Sequence, residues 1–140
     1  MMIERGSKKP TRSQMLEIHG RADDSFTASP PNGFDMPCFP GWVVDPLSGC
    51  ALEIRNVDPH TDDWVGKNPP PRRRAAIFWL MRSSSHIWLQ VGNDAVYMNQ
   101  WDYVLFDDRK MHSVIARQTW VGCAYQVRGV LLKPRGRPTA

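Results

Sequence analysis

The sequence predicts a mainly β domain, a sandwich or jelly roll with little helix, and three observations carry that prediction. From residue 75 to residue 132, short apolar runs follow one another at turn-length intervals. The intervals hold turn chemistry, such as Gly92-Asn93-Asp94 and Asp107-Asp108-Arg109-Lys110. No ten-residue stretch has the 3.6-residue apolar period of an amphipathic helix, so fewer than about a sixth of the residues are expected in helix. A chain of 140 residues suits one domain with a real core.

Taken in order, residues 1–13 read as a flexible basic arm, with almost no apolar periodicity and carrying Lys8, Lys9 and Arg12. Residues 14–49 read as irregular N-terminal support. Within them, 15–19 form a short strand or extended segment, and four prolines between 30 and 40 exclude helix and central strand. Trp42-Val43-Val44 is a short strand closed by Asp45-Pro46. The core is expected over 50–132. Its first strand alternates, with Leu52, Ile54, Asn56, Asp58, His60 and Asp62 on one face and Glu53, Arg55 and Val57 on the other. That face runs from apolar to polar, as for a strand that leaves a core and reaches a wet mouth. A loop stiffened by Pro69-Pro70-Pro71 then overhangs the mouth.

Residues 75–81 are apolar on both faces, as in an interior strand. Strands follow at 86–91, 95–99, 103–106 and 111–116, with Gln100-Trp101 as a turn. Two more, 119–126 and 127–132, complete the set, and 133–140 is a flexible tail.

Composition narrows the function classes. Apolar content of 41% and charged content of 23% are those of a soluble globular protein, and no apolar run reaches membrane-spanning length. The first residues lack the apolar centre of a signal peptide, so the expected location is cytoplasmic. Cys38, Cys50 and Cys123 are odd in number and have no Cys-x-x-Cys spacing, which argues against a disulfide framework or zinc ribbon. The net charge of +4 gathers at Lys8, Lys9 and Arg12, at Arg72-Arg73-Arg74, and at Lys133, Arg135 and Arg137. Such clusters either attract a nucleic-acid backbone or are solvated loops and tails. Trp64 and Trp101 either stack a flat base or pack the barrel. There is no Gly-x-Ser-x-Gly elbow, phosphate-binding glycine loop or His-Glu-x-x-His.

The chemistry concentrates in Asp58-Pro59-His60-Thr61-Asp62-Asp63-Trp64 and Met111-His112-Ser113-Val114. On an extended strand His60 and Asp62 leave the same face. Two imidazoles and a carboxylate, His60, Asp62 and His112, are the donors of the facial triad that holds non-haem Fe(II) with positions left open. The alternative is that His60 caps or packs, Asp62 is solvated and His112 fills the barrel.

This spacing resembles the 2-oxoglutarate- and Fe(II)-dependent dioxygenases, over about residues 50–132. Their signature is His-x-Asp followed at long interval by His, at the mouth of a double-stranded β-helix. The run 102–107 before Met111-His112 is similar to the family segment that precedes the distal histidine. The resemblance implies Fe(II) as metal and 2-oxoglutarate as cosubstrate, decarboxylated to succinate and CO₂ while a substrate C–H bond is hydroxylated or a methyl group removed. It also implies a basic residue for the cosubstrate's far carboxylate. Many members place it about ten residues after the distal histidine, where this chain has Thr119-Trp120-Val121-Gly122-Cys123. Arg128, sixteen after His112, is closer to the spacing of the nucleic-acid and alkylation-repair branch. Ala124, Gln126 and Arg128 share a strand face, so Gln126 and Arg128 are the expected cosubstrate-binding residues. Two rivals remain: a cupin-like metalloprotein that does not use 2-oxoglutarate, and a non-enzymatic β-sandwich binding or accessory protein.

Overall fold

The computed structural model describes residues 2–21, 37, 39, 41–61, 74–116 and 122–131. Its elements in chain order are β1 (Met2–Ser7), α1 (Arg12–Arg21), β2 (Trp42–Ile54), β3 (Val57–His60), β4 (Arg74–Ser83), β5 (Ile87–Val91), β6 (Asp94–Met98), β7 (Asp102–Phe106), β8 (His112–Ala116) and β9 (Gly122–Leu131). They make a mainly β sandwich of two antiparallel sheets. One has the order β1-β7-β4-β9-β2 and the other β3-β8-β5-β6.

The pairings are nested. β5 pairs with β6, β4 with β7, β3 with β8 and β2 with β9, so each strand of 42–91 meets its mirror in 94–131. β4 also pairs with β9, and β5 with β8, which joins the nested pairs into sheets. Between the sheets lies a core of Ile54, Ala76, Phe78, Leu80, Ile87, Leu89, Val91, Val96, Met98, Val104, Phe106, Val114, Ala116 and Ala124. The outer face of the five-stranded sheet is apolar as well, with Ile77, Trp79, Leu105, Tyr125 and Val127, and Ile18 of α1 packs there. Burial on both faces is why 75–81 shows no alternation: all of Ala75 to Met81 is buried.

Four expectations about local structure are corrected. First, Met2–Ser7 of the expected flexible arm is a strand, paired with β7 at the edge of the sheet. Its charged, non-alternating sequence suits an edge, where few side chains are buried. Second, residues 15–19 are helical. Thr11 accepts from the Gln14 backbone N–H at 3.1 Å, and Gln14 Oε1 accepts from the Thr11 N–H at 2.8 Å. This is a capping box, present in the sequence as Thr11-Arg12-Ser13-Gln14. Among the described side chains of the helix only Gln14 and Ile18 are buried. Third, the strand expected at 42–44 and the start of the first core strand, expected from residue 50, are one strand, with the register slipping between Val44 and Gly49, where Pro46 cannot donate to a ladder. Fourth, 119–126 and 127–132 do not divide at 126: β9 runs unbroken from Gly122 to Leu131, since no turn residues interrupt it.

Gly122 opens β9 opposite Ser83. A Cβ there would run into the Arg82 carbonyl. Backbone cannot yield as a flexible side chain does, so Gly122→Ala is expected to destabilise by about 1–3 kcal/mol, the usual cost of overpacking. A thermal melt of the variant beside the wild type checks this, and an unchanged midpoint would contradict it.

Candidate metal centre

Two strands on one side of the four-stranded sheet bring the histidines together. β3 is an edge strand that carries Pro59, tolerated there because the edge needs no donor at that position. Its register against β8 slips between Val57 and His60, so Val57 faces Val114 and His60 faces His112. The slip replaces the strict alternation expected from 52 to 62, and it brings the two imidazoles opposite each other. Asn56 fastens the far end of the pair, its Oδ1 accepting from the Ala116 N–H at 2.7 Å.

The His60 and His112 ring centroids are 4.4 Å apart, with the planes at 57°. Imidazole-bound ions sit about 2.0–2.1 Å from the nitrogen, so two rings this close can serve one ion. Both rings are oriented in the same way. His60 Nδ1 donates to the Asp58 carbonyl at 2.8 Å, and His112 Nδ1 donates to the Lys110 carbonyl at 2.8 Å. A carbonyl only accepts, so each Nδ1 carries a proton, and in the neutral ring the lone pair then lies on Nε2. Holding Nδ1–H on a backbone carbonyl is how proteins fix a histidine to ligate through Nε2. His112 is 5% exposed and packs edge-on against Phe106, ring centroids 5.0 Å apart; His60 is half-buried.

The turn ahead of His112 is held firmly. Arg109 donates Nε to Asp107 Oδ1 and Nη2 to Oδ2, each at 3.0 Å. Burial pushes the Asp107 carboxyl up, but the hydrogen bonds and charge of Arg109 outweigh it and hold the group below the usual range. The same pairing raises Arg109.

Asp62, the expected third ligand, lies outside the described residues, as do Trp64, Arg72, Arg73 and the proline loop. Among the described residues no group of three His, Cys, Asp or Glu can hold a metal. Cys123 is buried, and desolvation raises its thiol pKa despite the nearby Arg82, which suits a packed thiol and not a ligand.

Arg128 and Gln126 lie on the inward face of β9, in line with Ala124 of the core. Arg128 is 5% exposed and stands in a row with Ala76 and Phe106 across the five-stranded sheet. Phe106 in turn touches His112. Arg128 therefore belongs to the same end of the sandwich as the imidazole pair. Its Nε meets Asp108 Oδ2 at 3.1 Å, and Arg74 Nε meets Asp108 Oδ1 at 3.1 Å.

Arg74 and Asp108 escaped the sequence reading. The expectation that Arg74 belongs to a solvated or polyanion-binding cluster is corrected: it is 7% exposed and ion-paired inside the sandwich. Strand parity could have found both. Arg74 continues the inward set of Ala76, Phe78 and Leu80, and Asp108 continues Val104 and Phe106. Of the other surface features, Trp101 lies on the β6–β7 turn as expected, with the Lys9 ammonium 5.2 Å above its ring. No described helix is long and apolar enough to cross a membrane. Comparison of the chain with protein-family models, with curated proteins and with solved structures gives no match.

Proposed function

We propose that this protein is a non-haem Fe(II)- and 2-oxoglutarate-dependent dioxygenase on a jelly-roll (double-stranded β-helix) core, with His60, Asp62 and His112 as metal ligands. The observation that carries the reading is the His60–His112 pair, two imidazoles held opposite each other with each Nδ1 on a backbone carbonyl, the arrangement that orients a histidine to ligate through Nε2. The nested strand order supports the fold, because an eight-stranded antiparallel ribbon rolled on itself yields two four-stranded sheets in the order β7-β4-β9-β2 and β3-β8-β5-β6. In that winding the end of β3 and the start of β8 adjoin, and those are the positions of the two histidines.

When bound, Fe(II) supplies the centre at which dioxygen oxidises the 2-oxo acid and a substrate C–H bond. The chain's own residues do the rest. The carbonyls of Asp58 and Lys110 fix the imidazoles in one tautomer, and Phe106 closes one side of His112 against water. Arg128 offers a guanidinium for the far carboxylate, and Gln126 adds an amide on the same inward face. Substrate is hydroxylated or demethylated. Lys9 and Arg12 are exposed cations that suit a nucleic acid.

One observation favours the cupin-like reading, in which a metal is held without 2-oxoglutarate: Arg128 is already ion-paired with Asp108. Arg128→Lys decides between the two. A single ammonium cannot reproduce the guanidinium fork, so 2-oxoglutarate affinity is expected to fall about tenfold while Fe(II) binding is unchanged. Calorimetric titration and succinate release both read this. A wild type that binds iron but neither binds nor consumes 2-oxoglutarate supports the cupin-like protein instead.

A further inference from the structure

We infer that a cleft between α1, the end of β4 and the β6–β7 turn binds a small phosphate monoester, with the phosphate on Arg12 and Arg82 and the organic part against Met15 and Leu16. The cleft measures about 330 Å³ and is lined by those residues and Gln100. That volume is at the lower end of the range for small-molecule sites. Arg82 lies toward the other end of β4 from Arg74, roughly 25 Å along the strand, and so away from the histidine pair. The inference is therefore independent of the metal reading.

Arg82 is turned toward the cleft by a fault in the sheet. Ala76, Phe78 and Leu80 of β4 face the core between the sheets, and strict alternation would send Arg82 after them. The register against β9 slips between Leu80 and Arg82, so Arg82 stands opposite Cys123, a residue of the outer apolar face on which α1 packs. Bulges re-aim side chains in this way, and they are over-represented beside functional sites. On α1, Arg12, Met15 and Leu16 are spaced i, i+3 and i+4 and so share one face of the helix. Leu16 is 63% exposed, an apolar surface beside two cations.

The polar side chains of the cleft only donate. A guanidinium has no acceptor, and Arg12 and Arg82 supply two. The Ser83 N–H donates to Gln100 Oε1 at 3.0 Å, so the Gln100 amide offers its NH₂. No carboxylate lines the cleft among the described residues. Arg12 also opens a helix whose first turn has no acidic residue, at the end where a cation is disfavoured. Two like charges at one opening are relieved by an anion, and a set of donors alone selects an anion rich in acceptors. Phosphate meets both demands, since its oxygens take the guanidinium fork. Met15 and Leu16 offer nothing to bare phosphate; they suit an ester with an apolar or flat organic part.

Calorimetric titration of the full-length protein at about 0.15 M salt tests this, because that ionic strength screens exposed charges that do not act together. AMP is expected to bind, and adenosine and inorganic phosphate to bind at least about tenfold more weakly. Arg12→Gln and Arg82→Gln are each expected to weaken AMP about ten- to hundredfold, the worth of a charge-assisted hydrogen bond. Leu16→Ser should weaken AMP about fivefold through lost apolar contact and leave inorganic phosphate unchanged. All three side chains are exposed, so the variants should melt with the wild type. A wild type that does not bind AMP, or binds adenosine or inorganic phosphate as tightly, overturns the inference. So does wild-type AMP affinity in both arginine variants. A short single-stranded oligonucleotide that binds where AMP does not would make the cleft part of a polyanion surface, and that too overturns it.

Discussion

Asp108→Ala is expected to cost the fold about 3–5 kcal/mol, the loss seen when one member of a buried ion pair is removed. Asp108 is 0% exposed and bridges Arg74 and Arg128. Removing it takes from both guanidiniums the carboxylate they share in a dry interior. A domain's stability is only about 5–15 kcal/mol, so the variant should be largely unfolded at modest urea concentration. Arg74→Met should cost much less, because it leaves one cation and one anion together. The triple variant Asp108→Leu, Arg74→Met, Arg128→Met should recover most of the loss, since an apolar replacement of a buried ion cluster is often neutral or better. Urea midpoints of the three proteins decide. If Asp108→Ala unfolds with the wild type, the cluster carries no uncompensated charge.

His60→Ala should abolish metal binding while leaving the fold almost intact. His60 is half-buried at the end of an edge strand, so its ring contributes little to the core. Losing an outer partner of a metal ligand already costs about 10–100-fold in affinity, and loss of the ligand itself should exceed that. Asp62→Ala should match it. His112→Ala should also lose the metal, with an added stability cost, because His112 is buried against Phe106. Equilibrium dialysis with Fe(II) beside a circular dichroism spectrum separates the two effects. A His60→Ala protein that retains iron at wild-type affinity would remove His60 from the site.

Much of the fold was legible because each inner strand alternates or is uniformly apolar, and because Gly92-Asn93 and Gln100-Trp101 are turns in sequence and structure alike. That His60 and His112 come together was legible from their two strand-like runs. The geometry of the pair was not, because it depends on a register slip beside Pro59 that strict alternation misses. The carbonyls that fix the tautomers are backbone atoms and leave no mark on residue type. Helix α1 was missed for a different reason. Its signal is the Thr11–Gln14 cap and not an apolar period, since Leu16 is exposed and Gln14 and Ile18 are the buried side chains among those described. Arg74 and Asp108 were hidden by their neighbours, a run of arginines and a charged turn, each of which reads as solvated surface.

We propose that His60 and His112, with Asp62, hold one Fe(II) ion in a site that also takes 2-oxoglutarate. The most direct test is an anaerobic titration of the wild-type protein with Fe(II), followed by 2-oxoglutarate, monitored in the visible spectrum. One equivalent of iron should bind, and 2-oxoglutarate should then raise the weak charge-transfer band of a chelated 2-oxo acid, a band missing from His60→Ala. A wild-type protein that binds no Fe(II) would contradict the account.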